Sequence, residues 1–147
     1  METVGSILKT KGSQVWSVEA GTTVYDALAL LAEKGVGALL VVEAGRLAGM
    51  LSERDYARKV ILEGRSSKET RVGDIMTRDV ITVTPEHKVD ECMRLMTEHH
   101  VRHLPVMRGT EIVGIVSIGD LVNSIISEQA HTIEQLSSYI GGTYPGA

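Results

Sequence analysis

The sequence predicts an α/β (α+β) protein built from two pseudo-symmetric β-α-β-β-α repeats. Three features support this prediction: an internal repeat, an amphipathic helical segment in each copy, and a strand-turn-strand pattern in each copy. Aligned without a gap at an offset of 65 residues, segments 15–62 and 80–127 share 12 identities over 48 pairs. One copy is too small to bury both its sheet and its helices, so we expect the two copies to pack face to face.

The elements of each copy follow from periodicity and turn chemistry. A short β-run opens each copy, at Val15–Val18 or Val80–Val83. A polar turn then leads into a helix whose apolar residues recur at helical spacing, namely Val24, Ala27, Leu28 and Leu31 in the first copy and Val89, Cys92, Met93 and Met96 in the second. Two strands joined by a glycine-containing turn come next, Leu39–Val42 and Leu47–Leu51 in the first copy and Leu104–Met107 and Ile112–Val116 in the second. A second helix is predicted to begin at Ser52 or at Ser117.

The repeat also predicts the domain organisation. We expect a first repeat with an N-terminal segment at 1–62, a linker at 63–79, a second repeat at 80–128 and a C-terminal tail at 129–147. The linker is rich in charged residues, serine and glycine, and residues 72–76 are expected to form a helical turn. Residues 131–138 are expected to prolong the last helix, whereas 137–147 has the composition of a mobile tail.

Composition and charge argue against several functional classes. The 147-residue chain has a formal net charge of −4, which gives no general attraction to nucleic acid or to anionic membranes. It contains no apolar run long enough to span a membrane, and residues 1–14 lack the apolar region of a secretory signal. Cys92 is the single cysteine, so no internal disulfide forms. We therefore expect a cytoplasmic protein that binds neither nucleic acid nor membranes.

The most informative motif occurs twice, as Gly49–Asp55 and as Gly114–Asp120. In each, a strand runs into a serine that begins a helix, and an aspartate follows three residues later. This spacing suits a capping box, in which the serine and the acid satisfy backbone N–H groups. It equally suits a ligand site, because a helix N-terminus can hold phosphate and an aspartate can accept hydrogen bonds from vicinal ribose hydroxyls. The residues alone leave both interpretations open.

No motif indicates catalysis or a metal centre. The three histidines at positions 99, 100 and 103 have no cysteine or carboxylate at a recognised metal-ligand spacing. The chain also contains no nucleophile elbow and no arrangement typical of a serine-histidine-aspartate triad. We expect no catalytic residues, no metal site and no enzymatic activity.

The tandem copies resemble a pair of cystathionine β-synthase (CBS) domains, known as a Bateman module, over about residues 5–128. The resemblance rests on the paired Gly-h-h-Ser-x-x-Asp segments (h is aliphatic), on Asp74–Thr77 and on Val101–Val106. Segments Ser52–Tyr56 and Gly64–Ser67 are similar to small bacterial proteins that consist of one such pair.

This resemblance implies a regulatory protein that catalyses no reaction. It implies binding of AMP, ADP, ATP or related adenosine compounds such as NAD or NADH as a regulatory ligand, between repeats packed through their sheets about a pseudo-twofold axis. It also implies a homodimer and signal transduction through an effector protein on another chain. The alternative is a dimerising interaction module whose clefts are vestigial and bind no ligand.

The resemblance also implies the nucleotide-binding residues. In the second cleft, Ser117 and Asp120 would hold ribose, the stretch Thr77–Thr82 would hold the base, and Arg102 and His103 would contact phosphate. The residues of this set are Thr77, Val80, Ile81, Thr82, Arg102, His103, Pro105, Ser117 and Asp120. The first cleft would use Ser52, Arg54, Asp55, Arg58 and Lys11. Gly37 and Ala38 replace Arg102 and His103 there, so we expect the two clefts to bind unequally.

Overall fold

The first repeat has the predicted β-α-β-β-α order, whereas the second lacks the strand predicted at Val80–Val83. The structure is a computed structural model that describes residues 2–140, with side chains as far as Ser138. The first repeat contains β1 (Ser17–Val18), α2 (Val24–Lys34), β2 (Ala38–Glu43), β3 (Arg46–Ser52) and α3 (Glu53–Tyr56), which continues as a π-helical turn over Ala57–Ile61. The second contains α5 (Val89–His99), β4 (His103–Arg108), β5 (Glu111–Ser117) and α6 (Ile118–Ile140), and two further helices, α1 (Val4–Lys11) and α4 (Val72–Ile75), precede the repeats.

The two sheets differ in their first strand. In the first repeat β1 pairs parallel with β2, which pairs antiparallel with β3. In the second repeat β4 and β5 pair antiparallel, but the predicted run Val80–Val83 contributes only an isolated bridge between Val83 and Val106. The reason is Pro105. Its counterpart Leu40 donates its backbone N–H to Trp16, whereas proline has no N–H to donate to an incoming strand.

Each short leading helix packs on one repeat core. Val4 and Ile7 of α1 lie in the core of the second repeat, with Val89, Leu104 and Val116. Val72 and Ile75 of α4 lie in the core of the first repeat, with α2, β2 and β3. Thus α1, which precedes the first repeat in sequence, packs on the second repeat. Helix α4, which precedes the second repeat, packs on the first. The N-terminal segment, which the sequence grouped with the first repeat, completes the hydrophobic core of the second.

A third apolar cluster joins the two repeats and confirms the predicted packing through the sheets. Buried Ala38, Leu40 and Met50 from the first repeat form its centre. The residues packed around them come from both repeats and are Val15, Val42, Leu47, Val80, Ile112 and Ile115. This cluster lies between the two sheets and holds the two repeats face to face.

Glycines allow α1 and α4 to approach the sheets closely. A Cβ on Gly114 would lie 2.8 Å from a Leu8 methyl, and a Cβ on Gly49 would lie 2.7 Å from Met76 Sδ and 2.8 Å from the Thr77 carbonyl oxygen. These two glycines occupy equivalent positions in the repeated motif. The motif glycine is therefore a packing residue, because it leaves room for the segment that crosses the last strand of each repeat.

The last helix extends well past the second repeat. Helix α6 continues through residues 129–140, and predicted tail residues 141–147 lie outside the described residues. Its exposed apolar side chains are Val122, Ile126, Ile133 and Leu136. Among the helices within residues 2–140, none is both long enough and apolar enough to cross a membrane.

Candidate functional site

Both repeated serine-aspartate pairs form reciprocal caps at the start of a helix. In the first repeat the Asp55 N–H donates to Ser52 Oγ at 3.2 Å, and the Ser52 N–H donates to Asp55 Oδ2 at 3.0 Å. In the second repeat the Asp120 N–H donates to Ser117 Oγ at 3.2 Å, and the Ser117 N–H donates to Asp120 Oδ2 at 2.8 Å. The capping interpretation of the motif is therefore confirmed in both repeats.

Lys11 completes the second of these sites from the end of α1. Its ammonium group donates to Asp120 Oδ2 at 2.7 Å and to the Ile115 carbonyl oxygen at 3.0 Å. The sequence placed Lys11 beside the first cleft because it precedes the first strand. The structure places it in the second cleft, since α1 packs on the core of the second repeat.

A cavity of about 290 Å³ opens beside this ion pair. One wall is formed by the connection to β1, the start of β2 and the adjoining turn, and the opposite wall by β4 and β5. Its lining residues are Lys11, Gln14, Val15, Trp16, Gly35, Val36, Gly37, Ala38, His103, Ile115 and Ser117. Apolar walls with a few charged and hydroxyl groups at one end are typical of small-molecule sites.

A second cavity lies on the other side of the same ion pair, between α1 and α6. It encloses about 340 Å³ and is lined by Glu2, Ile7, Thr10, Lys11, Asp120, Asn123, Ser124 and Ser127. Ser124 is buried there and donates its hydroxyl hydrogen to the Glu2 carboxylate. Lys11 lines both cavities, so its side chain forms part of the partition between them.

Asp120 is a carboxylate at neutral pH. Burial raises its pKa, but the hydrogen bonds from Lys11 and Ser117 outweigh burial and bring the pKa below its ordinary value of 3.8. The charged form is the one that accepts hydrogen bonds from hydroxyl groups. Asp120 is therefore chemically suited to hold a diol.

His103 faces the second cleft from the start of β4. A Cβ on Gly37 would lie 3.3 Å from His103 Cε1, so the absence of a side chain at position 37 leaves room for the imidazole. Burial lowers the pKa of His103 below its ordinary value of 6.5, against the opposing effects of the Asp120 and Glu53 carboxylates. The imidazole is consequently neutral at pH 7 and offers one N–H donor and one acceptor nitrogen.

The first cleft is arranged differently around Asp55. Thr77 Oγ1 donates to Asp55 Oδ1 at 3.2 Å, and the Lys59 ammonium lies 3.0 Å from the same oxygen. Ser52 Oγ adds a hydrogen bond to Oδ2 at 3.1 Å. Lys59 also donates to the Ile75 carbonyl oxygen at 2.9 Å, which ties this helix to α4.

Thr77 lies in the first cleft, whereas the sequence assigned it to the second. The segment after α4 pairs with β3, where Thr77 and Met50 exchange two backbone hydrogen bonds of 2.9 Å. The side chain of Thr77 is thereby brought to Asp55 instead of Asp120. Val80, expected to hold the base, instead packs in the cluster between the sheets, and Ile81 packs against the core of the second repeat.

The other predicted residues do not line either of the two cavities at Lys11. Pro105 is buried within β4, and Thr82, Arg58 and Arg102 are exposed. Arg54 donates from Nη1 to the His100 carbonyl oxygen at 2.7 Å, which links α3 to the end of α5 in the other repeat. The structure thus gathers Ser117, Asp120, His103 and Lys11 in one cleft and Ser52, Asp55 and Thr77 in the other.

Sequence reasoning missed Lys59 in the first cleft. In the 290 Å³ cavity it missed Gln14, Val15, Trp16, Gly35, Val36, Gly37, Ala38 and Ile115. Lys59 could have been found from its i,i+4 spacing to Asp55 on one helix. Trp16 and Gly37 line the 290 Å³ cavity because the two sheets face each other. Within the part of the chain that the structure describes, no group of three or more histidine, cysteine, aspartate or glutamate residues could hold a metal ion.

The geometry defines a class of protein: two α/β repeats facing each other through their sheets, each with a serine-aspartate cap at an inter-repeat cleft. Comparison with known families identifies this class. The family model of the CBS domain matches residues 4–62 and 72–127. The chain belongs to the CBS domain family and contains two such domains in tandem, and proteins with this pair are generally regulatory modules.

The similar proteins include both curated sequences and solved structures. The chain is 45% identical over 152 residues to the CBS domain-containing protein CBSX3, mitochondrial, of Arabidopsis thaliana, covering 97% of this chain and 73% of that one. A protein with CBS domains from Burkholderia ambifaria MC40-6, provisionally described as a signal-transduction protein, is 55% identical with a TM-score of 0.84, over 86% of this chain and 96% of that one. The CBS domain pair of MJ0100, solved with 5′-methylthioadenosine and S-adenosyl-L-methionine, has 23% identity and a TM-score of 0.77, over 87% and 98% of the respective chains.

Proposed function

We propose that this protein is a regulatory sensor that binds an adenosine nucleotide in the cleft at Asp120 and acts on a partner protein. The ligand class is AMP, ADP, ATP or NAD(H). The protein itself catalyses no reaction in this proposal. The observation that carries it is the 290 Å³ cavity, which has apolar walls and is also lined by Lys11, His103 and Ser117. Lys11 in turn pairs with the ionised Asp120 next to this cavity.

Each part of a nucleotide has a matching surface in this cleft. Val15, Trp16 and Ile115 offer apolar surface to a base. Asp120 can accept the ribose hydroxyls, as an acidic residue does in dinucleotide-binding folds. Lys11 and His103 supply donors for phosphate. The MJ0100 pair holds two adenosine compounds on this fold, which supports the ligand class although the likeness to that protein concerns the fold alone.

Binding becomes a signal only if the ligand favours one arrangement of the repeats or of the dimer. The cleft is well placed for this, because Lys11 reaches it from α1 and His103 from the second sheet, opposite Gly37 of the first. The proposal includes a homodimer formed through helices that follow the repeats. The exposed Ile61 and Leu62 at the end of the first repeat and Val122 and Ile126 on α6 offer apolar surface for it.

A second candidate function is a dimerising interaction module whose clefts bind no ligand. The observation that favours it is that the serine and aspartate of each pair satisfy one another's backbone N–H groups in a complete capping box. In that case the aspartates would stabilise helices and do nothing else.

The experiment that separates the two functions is a thermal-shift panel with AMP, ADP, ATP, NAD, NADH and S-adenosylmethionine. A ligand that binds only the folded state at about 100 times its Kd stabilises it by about 2.7 kcal/mol. For a chain of this size that corresponds to a rise in Tm of roughly 5–10 °C. We expect such a rise with one nucleotide class and none with the Asp120→Ala variant.

The matched control is Asp26→Ala. Asp26 occupies the same position in the first turn of α2, three residues after its cap Thr23, yet it does not line either of the two cavities at Lys11. We expect Asp26→Ala to lose the interaction of its carboxylate with the start of α2 while keeping the full nucleotide shift. Its loss of stability should be smaller than that of Asp120→Ala, because Asp120 also accepts from the Ser117 N–H and from Lys11. A flat panel for the unsubstituted protein would reject the sensor and favour the interaction module.

A further inference from the structure

The two clefts differ in how many hydrogen bonds the protein itself makes to the aspartate in each. A carboxylate has about four lone-pair positions for hydrogen bonds. Asp55 uses all four: Oδ2 accepts from the Ser52 N–H and the Ser52 hydroxyl, and Oδ1 accepts from Thr77 and Lys59. A ribose at Asp55 could bind only by displacing hydrogen bonds that hold α3 to its neighbours.

Asp120 is engaged on one oxygen. Oδ2 accepts from the Ser117 N–H and from Lys11, and within the described residues Oδ1 accepts no hydrogen bond of 3.5 Å or less. The Lys11 ammonium has three N–H donors and uses two of them, on Asp120 and on the Ile115 carbonyl oxygen. An acceptor oxygen and a donor are thus both available at the partition between the two cavities.

The difference has a simple origin in chain length. The sequences Val4-Gly5-Ser6-Ile7-Leu8 and Val72-Gly73-Asp74-Ile75-Met76 occupy equivalent places, but the connection from Leu8 to Val15 is three residues longer than that from Met76 to Val80. With the longer connection α1 continues to Lys11, whereas α4 stops at Ile75. A flexible lysine therefore reaches Asp120, while a threonine fixed by strand pairing reaches Asp55.

We propose that one chain binds a single adenosine ligand, held at the Asp120 cleft. The Asp55 cleft binds no ligand, because the protein's own groups take up all the hydrogen-bond positions of this aspartate. This inference rests on the proposed function. Lys11 remains on Asp120 Oδ2, a ribose hydroxyl takes Oδ1, and the third Lys11 N–H contacts the ligand. The hydrogen bonds to Asp55 instead hold three segments together, namely α3, β3 and the segment that follows α4.

The experiment is isothermal titration with AMP, repeated with NAD and with S-adenosylmethionine, on four proteins. These are the unsubstituted chain and the Asp55→Asn, Asp120→Asn and Lys11→Met variants. We expect one site per chain, an affinity at least tenfold weaker in Asp120→Asn, and an affinity within twofold of the unsubstituted value in Asp55→Asn. Lys11→Met keeps the aliphatic stem and loses the donor, so we expect its affinity to fall at least fivefold, with Lys9→Met on the exposed side of α1 as the unaffected control.

Circular dichroism and thermal melts of the same variants test the structural half of the proposal. Asp55→Asn should lower Tm more than Asp120→Asn, because it disturbs four hydrogen bonds instead of two. Two sites per chain, or loss of binding in Asp55→Asn with its fold intact, would overturn the single-site inference and leave the proposed function standing. Absence of heat with all three probes on the unsubstituted chain would reject the proposed function itself.

Discussion

Exchanging the two motif glycines for alanine tests how tightly the crossing segments pack on the sheets. In Gly49→Ala the new Cβ would lie 2.8 Å from the Thr77 carbonyl oxygen and 2.7 Å from Met76 Sδ. The sulfur can move, but Thr77 is fixed by two backbone hydrogen bonds to Met50. In Gly114→Ala the close atoms are the two Leu8 methyls at 2.8 and 2.9 Å, at the end of a flexible side chain.

The magnitudes follow from which atom must move. Overpacking costs about 1–3 kcal/mol, and we expect Gly49→Ala in the upper half of that range because a backbone oxygen is displaced. Alanine also restricts the unfolded chain, which stabilises both variants by about 0.4–1 kcal/mol. Gly114→Ala, whose close atoms can move aside at a cost near the lower limit, should therefore change the free energy of unfolding by less than about 1 kcal/mol, while Gly49→Ala should lower it by about 1–2.6 kcal/mol.

Urea unfolding followed by circular dichroism measures both variants under one condition. In a thermal melt, the expected loss for Gly49→Ala corresponds to a fall in Tm of roughly 2–10 °C for a chain of this size. Equal destabilisation by the two substitutions, or a larger loss in Gly114→Ala, would refute the inference that a fixed backbone oxygen limits the space at Gly49.

Three further predictions concern the core thiol, the cleft imidazole and the dimer. Burial raises the pKa of the Cys92 thiol to about 11, so we expect no reaction with a thiol reagent at pH 8 until the protein unfolds; rapid labelling of the folded chain would contradict this. Burial also lowers the pKa of His103 in the folded state, so the unfolded chain takes up the proton first, and stability should fall as the pH drops from 7 to 5. His103→Gln should flatten that slope in urea titrations, and an unchanged slope would assign it to other groups. Sedimentation should give a dimer, and Ile126→Asp, which charges an exposed apolar position on α6, should give a monomer that still binds nucleotide; a dimeric Ile126→Asp would exclude this face.

Much of the fold could be predicted from the sequence because the repeat aligns without a gap over its strands and helices. The pairing of Ser117 with Asp120 was readable from spacing alone, since a capping box is a local structure. The capping boxes depend on residues close together in the chain. The strand predicted at Val80–Val83 was wrong, because its pairing depends on Pro105, more than 20 residues away, whose missing N–H leaves only one bridge.

The assignment of residues to clefts could not be predicted in the same way. The leading helices match each other at an offset of 68 residues, not 65, so α1 and α4 fall outside the register that revealed the repeat. Each packs on one repeat core through contacts distant in sequence, which carries Lys11 to Asp120 and Thr77 to Asp55. The single signal for this packing was the shared Val-Gly-x-Ile motif.

A crystal structure of the chain grown with AMP tests whether an adenosine ligand occupies the cleft between the repeats at Asp120. We expect density for one ligand per chain, with ribose hydroxyls on Asp120 and the base against Val15 and Ile115. Ligand of equal occupancy at Asp55, or density at neither aspartate when AMP is present well above its Kd, would show that the Asp120 cleft is not the single nucleotide site.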